Sequence, residues 1–261
     1  MDFDLLSITA PFRMQPGLHR LQGGRHLTPL AAGSTLWREK KQVFDAGASR
    51  LAVDGFDPTR AVDAILARAR AEGIAAAQPI ELAFEQDFAV LDGASTTLPW
   101  LCVCVPSHWA PEEKLGLPFT AVHAPVADNA LLLAAAQQLG RLVTDGGEWE
   151  RSVWTLTPSD RHDQHPARQA RTPWPATTDP EAFAASCFLR AERQTFFPLA
   201  PGQAVFTIRV MLQPLAEAVA TPAHARRLHD ALASMSEAVL AYKGLQPARA
   251  RLLAWLARRG A

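Results

Sequence analysis

The densest gathering of chemically capable side chains lies between Pro106 and Val126. It holds His108 and His123, the carboxylates of Glu112 and Glu113, Lys114 and Trp109, after an apolar strand-like run. Pro106, Pro111, Pro118, Pro125 and Gly116 interrupt regular structure, so tertiary contacts must hold these side chains. His123 stands in an apolar context, Phe119-Thr-Ala-Val-His-Ala-Pro-Val126. Two readings are open there: a core histidine satisfied through both ring nitrogens, or an axial ligand to haem iron through one of them. His108, beside Ser107, Trp109 and Glu112, reads as a more polar rim and is the alternative ligand.

A second polar cluster is Arg190-Ala-Glu-Arg-Gln-Thr195. Strand alternation puts Arg190, Glu192 and Gln194 on one face and Arg193 and Thr195 on the other. Arg209 follows on the next strand, two residues after Thr207. Such arginines either pair structurally with acids or hold carboxylates such as haem propionates. Glu85 and Asp87 are two apart and would share a strand face, where a buried pair could share a proton and a solvated pair would not. His162 and His165, near Asp160 and Asp163, have ligand-like spacing, but without a partner motif they read as an exposed loop.

The elements that must position these residues follow from periodicity. Residues 1–56 are weakly periodic, with loops at Pro11-Phe-Arg-Met14 and Pro16-Gly17 and a turn at Gly23-Gly24. A helix is predicted after Asp57 as N-cap and Pro58 as first helical residue, with Val62, Ile65, Leu66 and Ala69 as its stripe. Ala75–Ala77 either frays from that helix or opens the next loop. Strands are predicted over 80–91 and 98–105, joined through Asp92-Gly93, then a helix over 128–142 and a strand over 149–156. Residues 158–175 form an excursion, followed by a short helix at Asp179-Pro180 and strands over 187–199 and 204–212. Helices close the chain from Thr221-Pro222, with Leu228, Leu232, Met235 and Val239 as one stripe and Leu252, Leu253 and Leu256 as the next. The pattern predicts an α+β fold with a mainly antiparallel sheet and additional N- and C-terminal helices, one domain over 1–261 with a helical extension over 221–261.

The 261 residues carry 26 basic and 26 acidic side chains, which leaves no global field for nucleic acid or an acidic membrane. No apolar run approaches a membrane span, and the first residues lack a basic region before an apolar core, so a cytoplasmic location is expected. Three cysteines make no disulfide framework, and Cys102 and Cys104 read as strand core. Dinucleotide, phosphate-loop, nucleophile-elbow, HExxH and CxxC patterns are missing. A four-thiolate iron–sulfur site is likewise excluded for this chain alone.

Several ordered pieces resemble the haem-dependent oxidative N-demethylase alpha-subunit-like family. They are Pro11-Phe-Arg-Met14 with Gly17 and Leu18, Glu85-Gln-Asp87, Trp109 with Glu113, Lys114 and Gly116, Val122-His-Ala-Pro-Val126, Glu192-Arg-Gln-Thr195, and Phe206-Thr-Ile-Arg209. The resemblance implies a PAS-like fold binding haem b and a monooxygenase that demethylates a small secondary amine with release of formaldehyde. Its electrons would come from NADPH through a flavin and iron–sulfur reductase partner. It also implies His123 as axial ligand. Arg190, Arg193 and Arg209 would position the haem with Glu192 orienting them, Trp109 and Trp154 would wall the pocket, and Glu113 and Asp87 would handle protons or amine. Val153 stands where an amide is expected before Trp154, and Phe196-Phe197 replaces a more basic stretch. Those departures keep two further readings open, a non-catalytic haem sensor or carrier and a PAS-like regulatory protein without haem. Homo-oligomer formation is left open.

Overall fold

The computed structural model describes residues 1–76 and 79–261. Seven strands form one antiparallel sheet: β1 (His19–Arg20), β2 (Arg50–Ala52), β3 (Gln86–Asp92), β4 (Thr97–Cys102), β5 (Trp149–Thr157), β6 (Phe188–Ala200) and β7 (Gln203–Pro214). Their spatial order is β1-β5-β6-β7-β3-β4-β2. Helices α1 (Thr35–Asp45), α2 (Thr59–Ala71), α3 (Ile80–Ala83), α4 (Phe119–His123), α5 (Ala130–Ala134) and α6 (Ala136–Val143) belong to the first part of the chain. Helices α7 (Pro180–Ala185), α8 (Leu215–Ala218), α9 (Pro222–Ala233), α10 (Glu237–Tyr242) and α11 (Arg249–Gly260) follow. The fold is α+β, a large antiparallel sheet flanked by helices. No helix among the described residues is long and apolar enough to cross a membrane.

The two faces of the sheet divide by residue parity. On one face Phe88, Val90, Trp100, Cys102, Phe197 and Val205 pack against Ala61, Val62, Ile65 and Ala69 of α2. On the same face, nearer β5, Trp154, Leu156, Leu189 and Ala191 pack under α7 to α11, with Leu228, Leu232, Trp255 and Leu256 at the centre. Burying each such large side chain contributes roughly 1.5–3 kcal/mol. The other face carries the cavity described below. One of its ends is closed by α1, through Leu36 and Val43 on Ile208 and Val210, and the other by α6, through Val143 on Leu91 and Phe196.

Several expected boundaries shift for physical reasons. Residues 80–91 are not one strand, because α3 precedes β3. Glu81 is buried and held by Arg50 Nε at 2.7 Å, Arg50 Nη2 at 2.8 Å and the Ser49 hydroxyl at 2.9 Å, which suits a helical turn. Helix α2 starts one residue late, at Thr59, whose N–H donates to Asp57 Oδ1 at 3.0 Å. Ala75 and Ala76 lie in irregular chain beyond α2, and Ala77 lies outside the described residues. The helix over 128–142 is two helices meeting at Ala135.

Helix α1 falls in the stretch that looks aperiodic. Ser34 caps it, accepting from Trp37 N–H at 3.1 Å, and its buried stripe is Leu36, Lys40 and Val43. A lysine in the middle of that stripe hides the pattern. Lys40 is fully buried, donating to the carbonyls of Phe84 (3.0 Å), Glu85 (3.3 Å) and Gln86 (2.7 Å) and pairing with Asp87 at 3.1 Å.

Residues 158–175 lack regular structure, as expected, but their first half is not an exposed loop. Ser159, Asp163, Gln164 and His165 are buried. His162 meets Glu39 at 3.3 Å and His165 meets Glu112 at 3.1 Å, so each histidine has its own carboxylate. Among the described residues no group of three or more His, Cys, Asp or Glu side chains is arranged to hold a metal ion. All three cysteines are buried and unbridged, and burial pushes the Cys187 thiol up to about 12.

Candidate functional site

A cavity of about 750 Å³ opens on the second sheet face, between the strands and the chain from Ser107 to Val143. That volume is within the range of small-molecule and cofactor sites, roughly 300–1,000 Å³. The sheet supplies Arg151, Val153, Glu192, Gln194, Phe196 and Phe206. Their spacing is the strand alternation, with Val153 opposite Glu192, Arg151 opposite Gln194 and Phe196 opposite Phe206. Phe196 and Phe206 stack at 4.6 Å and make an apolar floor. Phe12, Met14 and Leu18 from the N-terminal loop, and Tyr242 and Lys243 at the end of α10, complete the walls.

Both candidate histidines border this cavity, and their ring environments differ. His123 is the last residue of α4; its Nδ1 lies 2.9 Å from the Phe119 carbonyl one turn earlier, and the two rings stack at 3.9 Å. That carbonyl accepts the Nδ1 proton of a neutral imidazole, leaving the lone pair on Nε2, the arrangement that orients a metal-ligating histidine. Burial, followed by the positive charges of Arg151 and Lys114, outweighs the Phe119 hydrogen bond and holds the His123 pKa below its ordinary value. Neutral imidazole, the ligating form, is thereby favoured. His108 has a left-handed backbone (φ 59°) and an open side chain, with no ring hydrogen bond among the described residues. Partial enclosure, then Arg171 and Arg190, pushes its pKa down to about 4.

The charges around the cavity sort by what already satisfies them. Arg190 is 2% exposed and donates to Ser107 Oγ at 2.8 Å and to the carbonyls of Arg161 (3.1 Å), His162 (2.8 Å) and Val105 (3.4 Å). Its guanidinium is consumed in fastening the 158–168 segment to the sheet. Glu192 accepts from the Ser107 hydroxyl and from Gln194 Nε2 at 2.8 Å. Arg151 makes no hydrogen bond or ion pair to protein among the described residues, and its Nε is buried without a partner. Lys243 donates to the Trp154 carbonyl at 2.7 Å, and burial pushes its pKa down to about 8, the attraction of Glu192 only partly offsetting this. Arg13 and Arg171 are exposed at the margin, with Lys114 half-buried.

Of the residues singled out from sequence, His123, Arg190, Glu192, Trp109, Glu113 and Trp154 come together on this cavity. Trp154 also belongs to the opposite core, edge-on to Phe12 at 5.7 Å, with an unpartnered indole nitrogen. Asp87, Arg193 and Arg209 are elsewhere. Asp87 accepts from Val105 N–H at 2.8 Å and faces Lys40, which removes it from proton traffic in the cavity. Glu85 pairs with Arg209 at 2.6 Å, so Glu85 and Asp87 share no proton. Arg193 points to the helical face, pairing with Glu150 at 2.7 Å, and donates to the Arg25 carbonyl at 2.7 Å. Parity excludes both arginines, since residues 193 and 209 have the opposite orientation to 192, 194 and 208.

Arg151 and Lys243 are the cavity residues to which the sequence alone assigned no role. Arg151 stands two residues before Val153 and so had to share its face; that signal was present. Lys243 closes a helix far along the chain, and nothing local announces that it reaches the cavity.

An imidazole with a bare nitrogen, a stacked aromatic floor and unpaired cations form a donor set that fits haem, whose iron takes histidine and whose propionates take cations. The sequence matches the family model for "Haem-dependent oxidative N-demethylase, alpha subunit-like" over residues 66–253, a span from α2 into α11 that includes the cavity strands and α4. The chain belongs to this haem-dependent oxidative N-demethylase alpha-subunit-like family.

Proposed function

We propose that the protein is a haem-binding monooxygenase that removes a methyl group from a small secondary amine. The observation that carries this reading is His123, fixed by the Phe119 carbonyl at the wall of a cavity large enough for a cofactor. His123 would hold haem b through Nε2, Phe196, Phe206 and Trp109 would pack on its ring system, and Lys114, Arg13 and Arg171 would receive its carboxylates. Bound haem supplies dioxygen activation and the oxidising equivalents for the methyl C–H bond. The overall balance is R–NH–CH₃ + O₂ + 2e⁻ + 2H⁺ → R–NH₂ + CH₂O + H₂O, the electrons coming from an external NADPH-linked flavin and iron–sulfur reductase.

The chain's own residues bind and orient. Glu192 is the anion facing the cavity and holds the protonated amine; Gln194 and Ser107 fix its carboxylate. Val153, opposite Glu192, presents an isopropyl group where the family pattern expects an amide, so the methyl group packs there without a competing donor. Glu113, exposed at the opening, relays protons from solvent. Arg190 acts structurally. The strand order and the packing of α9 and α11 on the sheet support one PAS-like domain over 1–261 with a helical C-terminal part over 221–261.

The second reading, a haem sensor or carrier without turnover, is favoured by Val153 alone, since an apolar replacement removes a hydrogen-bond partner from the pocket. NADPH-dependent formaldehyde release with a competent reductase and a panel of N-methyl secondary amines, with and without a carboxylate, decides between them. Turnover above the haem-only background is the expected result; haem-replete protein without formaldehyde supports the sensor.

A further inference from the structure

The distribution of charge over the cavity says more about the substrate than the family does. The exposed cations, Arg13 and Arg171, lie at its margin, whereas Arg151 rises from the sheet with Nε buried and unpartnered. A guanidinium without a hydrogen-bond acceptor in a cavity wall costs desolvation that the attraction of Glu192 offsets only in part. Its nearest sheet neighbours on the same face are Gln194, directly opposite on β6, Val153, two residues along β5, and Glu192, a diagonal step away. Diagonal cross-strand neighbours stand roughly 7–8 Å apart at their Cα atoms. A cation and a carboxylate at that separation, with the isopropyl group of Val153 beside the cation on β5 and opposite the carboxylate, complement a small zwitterion.

We propose that the amine substrate carries its own carboxylate: an N-methyl amino acid whose carboxylate is held by Arg151 and whose ammonium is held by Glu192. This rests on the demethylase reading for the reaction, and on protein side chains alone for the binding. Arg151 supplies two parallel N–H donors to the carboxylate, a geometry a lysine cannot reproduce. Lys243, already bound to the Trp154 carbonyl at 2.7 Å, adds positive potential on the same side. With N-methylglycine the balanced reaction is N-methylglycine + O₂ + 2e⁻ + 2H⁺ → glycine + formaldehyde + H₂O, with the same external reductase as electron donor. Dimethylamine, lacking a carboxylate, would leave Arg151 unpaired.

The test is calorimetric titration of N-methylglycine, dimethylamine and acetate into the full chain, with and without haem, beside Arg151→Met and Glu192→Gln. Charge-assisted pairing predicts N-methylglycine affinity about 10- to 100-fold above that of dimethylamine. Arg151→Met should abolish that advantage while retaining haem, Arg151→Lys should restore part of it, and Glu192→Gln should weaken both amines. Equal affinities in the native protein overturn the proposal. So does stoichiometric haem loss in Arg151→Met with its fold intact, which would make Arg151 a ligand of the cofactor's carboxylates. Haem-free protein that still prefers N-methylglycine through Arg151 supports the subsite and removes the demethylase reading instead. Melting temperature and haem content of each variant separate these results from misfolding.

Discussion

At the residue scale the decisive quantity is how each buried charge is satisfied. Lys243 is only partly compensated, with one carbonyl acceptor, the ring faces of Phe12 and Trp154, and a pKa pushed down to about 8 from 10.5. Below pH 8 both folded and unfolded chains carry this proton, and the burial cost is felt in full. Between pH 8 and 10.5 the unfolded chain binds more protons, so stability rises with pH through that window. Lys243→Met should therefore stabilise the haem-free protein at pH 7 by about 2 kcal/mol, roughly 3 from the relieved shift less about 1 for the lost hydrogen bond. Urea melts at pH 7 and pH 10 would show this gain shrinking at the higher pH; equal destabilisation at both would contradict the burial argument. Alternation alone made Arg190, Glu192 and Gln194 legible as one face. It could not tell that Arg190 is saturated while Arg151 is bare, because three of Arg190's acceptors are backbone carbonyls up to 85 residues away.

At the scale of elements, the long strands and the C-terminal helices were readable because period-2 and period-3.6 patterns survive there. Helix α1 was not, since Lys40 occupies its buried stripe and finds its partners on β3 and the chain before it. The buried half of the 158–175 excursion was equally opaque: its composition is polar, but Arg190, and Arg168 donating to the Cys104 carbonyl at 3.1 Å, fasten it beside the sheet. Helix α6 depends on a close approach, where a Cβ on Gly140 would meet Thr96 Cγ2 at 2.8 Å, and glycine there lets the helix cap the cavity's end. The clamp can be tested directly. Arg190→Met should cost about 2–4 kcal/mol through unpaired buried carbonyls. Amide exchange should accelerate selectively at Asp163, Gln164, Arg168 and Gln169, whose N–H groups are bonded within or beside this segment. Unchanged exchange there would show that the segment holds itself.

For the whole molecule, one face of the sheet is spent on helices and stability, and the other is held open between α1 and α6. This division explains why the motifs that resemble the family are scattered through the sequence: they mix core positions with cavity positions. The ordered pieces around Trp109, His123 and Glu192 identified the family and the cavity, whereas Asp87, Arg193 and Arg209 belong to the supporting ion pairs. Local sequence cannot separate the two classes, because strand parity across a sheet depends on register.

The proposed function depends on His123 presenting a ligating nitrogen to haem in this cavity. An ultraviolet–visible spectrum of protein reconstituted with haem, beside His123→Ala and His108→Ala, tests it most directly. A stoichiometric Soret band is expected in the native protein, lost or shifted in His123→Ala and retained in His108→Ala. A native protein that takes up no stoichiometric haem, or a His123→Ala spectrum indistinguishable from native, would contradict it.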